Sequence, residues 1–155
     1  MSKTNNWLVH DHRKYEAALE ECEMAAGAGD WKDAIRLFTG FVEELKLHMR
    51  MEDEVLYPAF IEEVSGAASA IADLSEEHDH IAQLLHDLAY VIKRNDMDHF
   101  EDSLIPLYRA MKSHNEHEEH VFLDMGNDAL LMRRDEIMAR LQSLESNTPH
   151  RSWDF

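Results

Sequence analysis

The sequence predicts an all-α fold, an antiparallel up-down-up-down four-helix bundle with an additional C-terminal helix. Three observations carry this expectation. Apolar residues recur at alternating steps of three and four in four successive segments, the spacing that keeps one stripe of a helix against a partner. Short clusters of Gly, Ser, Asn and Asp punctuate the intervals. A shift of 66 residues lays the first half on the second, placing Leu8 on Leu74, Leu19 on Leu85, Asp30 on Asp96, Lys46 on Lys112 and Val55 on Val121. The chain therefore reads as two helix pairs, and long helices with short connections favour antiparallel neighbours.

The first helix follows a polar lead, Ser2 to Asn6, that can cap it, and its seam is Leu8, His12, Tyr15, Leu19, Cys22, Ala26. Gly27 and Gly29 end it. Asp30 is the expected cap of the second helix, which runs to about Val64 along Phe38, Phe41, Leu45, His48, Glu52, Val55, Ala59, with Pro58 kinking it or ending its regular part. After Ser65 and Gly66, the third helix spans about Ala68 to Lys93 along Ile71, Leu74, His78, Ile81, Leu85, Leu88, Ile92. The fourth is expected from Asp98, with Glu101 completing a capping box and Pro106 bending its first turns, along Leu104, Leu107, Met111, His114, Glu118, Val121, Met125. A fifth amphipathic segment, about Asp128 to Glu145, either closes over the bundle or joins two copies as a homodimer. At 155 residues the chain suits a single domain, 1–145, with 146–155 as a flexible tail.

Fifteen Lys plus Arg against 32 Asp plus Glu give a formal charge of -17, which repels phosphate backbones and anionic lipid surfaces, so neither nucleic acid nor a membrane is an expected partner. A content of 45% hydrophobic residues, arranged with clear periodicity, separates the chain from acidic disordered sequences. No signal-peptide pattern and no apolar span of membrane length is present, and the lone Cys22 sits in a seam as a small core residue. A reducing cytoplasm is the expected location.

Six seam residues break the apolar pattern: His12, His48, Glu52, His78, His114 and Glu118. The repeat lays His12 on His78, His48 on His114 and Glu52 on Glu118. An unpartnered buried polar group costs about 1–3 kcal/mol and a lone buried charge several. Six of them could cancel the roughly 5–15 kcal/mol by which a domain is stable. A hydrogen-bonded His/Glu network is one way to compensate them, and metal ions are the better one, since imidazole and carboxylate form the usual donor set for divalent ions. Count and spacing favour two ions. Each HxxxE stacks a His and a Glu on one face, so two bridging carboxylates can hold ions at roughly 3.5–4 Å, each with two His and an oxygen from each Glu. A single tetrahedral zinc would leave two of the six side chains without an ion.

His12, His48-Met-Arg-Met-Glu52, His78 and His114-Asn-Glu-His-Glu118, with Asp53-Glu54-Val55-Leu56-Tyr57-Pro58 after the first HxxxE, resemble the hemerythrin-like HHE cation-binding domains over about Trp7 to Met125. The resemblance implies a four-helix bundle holding two iron ions, with a solvent-derived oxo or hydroxo bridge; manganese and zinc suit the same donors. Members carry or sense O2, handle nitric oxide or peroxide, repair iron centres or sense iron. The oxygen carriers take a fifth His from an HxxxH on the third helix, where this chain has Leu74 and Ala82 four residues either side of His78. The pattern is closer to the repair members, although their N-terminal cysteine pair has no counterpart here.

Three functions fit. The first is a small di-iron protein binding a diatomic ligand or peroxide in redox or iron homeostasis, the second a di-iron oxidase or reductase, the third a metal- or oxygen-responsive interaction module. Tyr15, one turn beyond His12, is the candidate donor to a small oxygen ligand, with core packing as its other role. His117 and His120 neighbour the centre, whereas His10, His80, His86, His99 and His150 read as lying away from it. The pairs Glu43-Glu44, Glu62-Glu63 and Glu76-Glu77 read as solvated faces. Glu77 to His80 is the one ExxH of the ferritin-type spacing, and its His is off the seam.

Overall fold

A computed structural model of the chain describes the backbone of residues 3–125, 139–140 and 142–143, and the side chains of 12–122 and of those last four. Among the described residues the fold is helical without strands: α1 Lys3–Gly27, α2 Trp31–Met51, a π-helical segment Glu52–Leu56, α3 Tyr57–Glu63, α4 Ala68–Ile92 and α5 Met97–Met125. α1 packs against α2 and α5, and α4 packs against α5 and α2. The expected fifth segment and the tail lie outside the described residues, apart from 139–140 and 142–143.

Local chemistry sets the boundaries. Gly29 adopts φ +80° and lets the chain close α1 with bonds from its own N–H to Ala26 O and from Asp30 N–H to Ala25 O, a reversal that a β-carbon would oppose. Asp30 then caps α2 by accepting from Asp33 N–H at 3.1 Å. α5 begins at Met97, and Asp96, rather than the expected Asp98, accepts from His99 N–H at 3.2 Å. Asp98 instead lies in the first turn, where a carboxylate complements the helix dipole. α5 continues through Pro106.

Pro58 ends the regular α-helical part of the second helix. It lacks an N–H, and its ring crowds the carbonyl four residues earlier. Just before it the helix widens over Glu52–Leu56, where Tyr57 N–H reaches Glu52 O, five residues back. The wider turn keeps Glu52 and Val55 buried on their seam and also buries Leu56 and Tyr57.

The seams form the interior. Leu19, Leu45, Ile81, Leu85, Leu104 and Met111 belong to one apolar cluster, while Val55, Phe60, Ile71, Leu74, Val121 and Phe122 belong to a second. Cys22 lies in the first cluster and points its thiol at Ala34 O at 3.3 Å; burial, then Glu23 and Asp33, pushes its pKa up to about 12. It is a core residue rather than a reactive thiol. Along the second, third and fourth seams the polar positions fall where one apolar cluster gives way to the other. None of the described helices is long and apolar enough to cross a membrane.

Candidate metal centre

Each helix delivers its polar residues to one layer because the seam spacing fixes the face on which they emerge. His12 comes from α1, His48 from the end of α2, Glu52 from the π-helical segment, His78 from α4, and His114 and Glu118 from α5. All six are 0–4% exposed. Among the described residues they and Asn115 make up the whole set of buried polar side chains. They converge in two overlapping groups, His12, His48, Glu52, Glu118 and Glu52, His78, His114, Glu118, with the ligand atoms of each group within 4.8 Å of one another. Donors around one ion, each at roughly 2.0–2.2 Å, are spaced in this range.

A second ring of carboxylates fixes the imidazoles. His12 Nδ1 lies 2.9 Å from Glu119, His78 Nδ1 lies 3.0 Å from Asp53, and His114 Nδ1 lies 2.7 Å from Glu77. An ionised carboxylate only accepts, so each of these Nδ1 atoms carries the proton and the Nε2 lone pair of the neutral ring faces the centre. The 66-residue shift extends to this ring, for Asp53 holds His78 as Glu119 holds His12. Glu77 also takes His117 Nδ1 at 2.7 Å, which ties this half-exposed ring to the buried His114. His117 is thus joined to the centre, while Glu77 is more than the solvated residue its acidic neighbourhood suggested. His80, His86, His99 and His120 are exposed.

The layer is built for cations. His78 Nε2 and His114 Nε2 face each other at 3.1 Å, an arrangement of two lone pairs that needs a proton or a metal ion between them. Glu52 Oε1 lies 3.3 Å from His48 Nε2 and 3.2 Å from His78 Nε2, yet neither Glu52 oxygen receives a hydrogen bond from a described residue. Left so, a fully buried carboxylate is costly. The donor set of imidazole nitrogens and carboxylates suits iron, manganese or zinc.

Without metal, protons do part of this work. Burial disfavours the His78 imidazolium, but Asp53 and Glu52 outweigh it and raise the pKa to about 10. His12 is raised in the same way, burial being overcome by Glu118, Glu119 and Glu52. Burial also opposes ionisation of Glu118, yet its contacts with the His114 and His12 imidazoles hold it well below the usual carboxylate range. An imidazole raised on folding stabilises fully below its unfolded pKa of about 6.5 and loses that contribution as pH climbs through the folded value. Metal-free protein is therefore expected to melt at progressively lower temperature from about pH 6.5 to about pH 10. A melting temperature that rises over this interval would contradict the assignment. Binding metal expels the same protons, so metal affinity falls as pH is lowered.

Asp53→Asn is expected to weaken metal binding roughly 10–100-fold, because the amide no longer fixes the His78 tautomer. Competition against a coloured chelator measures this, and an unchanged affinity would make the Asp53 contact incidental.

Two residues stand against the centre from opposite sides. The Tyr15 ring lies 5.1 Å from that of His48, and with His12, Leu45, Ile81, Met111 and Asn115 it lines an internal cavity of about 10 Å3, room for about one water molecule. Tyr57, which the seams do not mark, donates its hydroxyl to Glu118 Oε2, lies 3.3 Å from His78 Nε2 and stacks on the His78 ring at 5.5 Å. Burial, with Glu52 and Glu118, raises its pKa and keeps it a donor. On the solvent side, a cleft of about 410 Å3 lined by residues of α4 and α5, among them His80, Arg109 and Ser113, reaches Glu77 and His114.

The family model for the hemerythrin HHE cation binding domain matches residues 4–125. No curated protein and no solved structure matches the chain.

Proposed function

The chain belongs to the hemerythrin HHE cation-binding family, and on that premise we propose that it is a non-haem di-iron protein that binds or reacts with O2, nitric oxide or peroxide in redox or iron homeostasis. In this reading the bundle is up-down-up-down. His12 and His48 hold one ion, His78 and His114 the other, and Glu52 and Glu118 bridge them. The observation that carries the proposal is the burial of all six donors in one layer, with neither Glu52 oxygen hydrogen-bonded by a described residue.

Bound iron supplies reversible electron transfer and coordination positions open to a small ligand. The chain's own part is orientation and exclusion. Asp53, Glu77 and Glu119 hold three imidazoles in the ligating tautomer, and the two apolar clusters keep bulk water from the layer. The small cavity beside His12 and His48 favours a ligand of one or two heavy atoms over an organic substrate, and Tyr15 on its wall is the proposed donor to that ligand. The larger cleft outside His114 favours a second reading, a di-iron oxidase or reductase whose substrate docks there.

Optical spectra of the iron-loaded protein decide between them. A carrier or sensor changes its near-ultraviolet and visible bands reversibly on adding and removing O2 or nitric oxide. Irreversible oxidation with turnover of an added reductant supports the enzyme reading, and a spectrum indifferent to all three ligands contradicts the first.

A further inference from the structure

The ligand sets of the two metal positions are matched by the 66-residue repeat, each having two His and a share of both Glu. The surroundings are not matched. Tyr57 and Pro58 correspond under the shift to Leu123 and Asp124, so the second half has neither the phenol nor the proline. The backbone follows suit, with a π turn before Tyr57 and an uninterrupted α-helix through the corresponding part of α5.

The hydroxyl acts on one oxygen of a shared carboxylate. Glu118 Oε1 sits 3.0 Å from His12 Nε2, on the His12/His48 side. Glu118 Oε2 sits 3.5 Å from His114 Nε2, on the His78/His114 side, and accepts from Tyr57. A carboxylate oxygen offers two lone pairs, so Oε2 can serve Tyr57 and an ion together. It does so as a weaker donor than Oε1, since the hydrogen bond draws charge from it. The Tyr57 ring is itself fixed by the His78 stack and by Phe122 at 6.1 Å, so the hydroxyl has little freedom to leave.

The geometry points to Tyr57 as a positioning residue that holds Glu118 across both metal positions and makes those positions electronically unequal. This inference rests on the two-ion reading above. The π turn is what makes it available, because residues five apart stack only where the helix widens.

Loading with 57Fe and recording Mössbauer spectra of wild type and Tyr57→Phe tests it. The phenylalanine keeps the ring and its packing while losing only the hydroxyl. Wild type is expected to give two quadrupole doublets of equal area, and Tyr57→Phe to bind the same iron with the two doublets drawn together. A merely structural tyrosine would lower the melting temperature without moving the doublets, which overturns the inference. A single doublet in wild type overturns it as well. So does a visible phenolate-to-iron band that vanishes in the variant, which would make Tyr57 a ligand. Wild type that retains no iron instead removes the two-ion reading beneath it.

Discussion

Replacing His114 with alanine is expected to lower bound metal from about two ions per chain to one or none. His114 is 4% exposed, belongs to the Glu52, His78, His114, Glu118 group, and is pinned by Glu77. Its loss removes a donor from one proposed position directly and leaves Glu118, the proposed bridge, with one fewer partner. His48→Ala should act likewise on the other position. His99→Ala is the comparison, because His99 is exposed and engages Asp96 at the start of α5. Glu52→Gln should impair binding more than Glu54→Gln, since Glu52 sits in the layer while Glu54 is exposed and pairs with Arg50. Elemental analysis of the purified variants reads all five. Equal metal in every one of them would remove the site assignment.

Stripping the metal with a chelator is expected to lower the melting temperature by on the order of 10 °C or more. An ion that binds the folded layer and not the unfolded chain adds about 4 kcal/mol at a thousandfold excess over its dissociation constant. Each kcal/mol moves the midpoint by roughly 2–8 °C in domains of this general size. The physical source is the cost that the ions relieve: a buried Glu52 that no described residue hydrogen-bonds, and the Nε2 atoms of His78 and His114 opposed at 3.1 Å. Thermal melts before and after dialysis against the chelator, with metal restored as a third sample, measure it. A midpoint that does not move would mean that the layer satisfies itself.

The layer was legible in the sequence because a helical seam is a strong ruler. His48 and Glu52 fall on positions that Phe38, Phe41, Leu45, Val55 and Ala59 mark as buried, and the structure buries all seven. The outer carboxylates were harder to read. In a chain with 32 acidic residues, Glu77 looks like any solvated glutamate until His114 and His117 are placed beside it. Asp53 and Glu119 did leave a signal, since each directly follows a seam glutamate and the repeat superposes them. Tyr57 left none on a regular helix, where a residue five beyond Glu52 points away. Pro58 marked the place where the regular part of the second helix ends, and the form of that ending, a π turn, had no signal in the seam. The cap of α5 moved from Asp98 to Asp96 for a similar local reason, Asp96 being the carboxylate in reach of the His99 amide.

The central claim is that the apolar interior opens at six positions to hold two cations. Anomalous diffraction from crystals of the iron-loaded protein tests it most directly. Two peaks are expected roughly 3.5–4 Å apart, one between His12 and His48 and the other between His78 and His114, with both glutamates reaching each. One peak, none, or iron confined to surface carboxylates would contradict it.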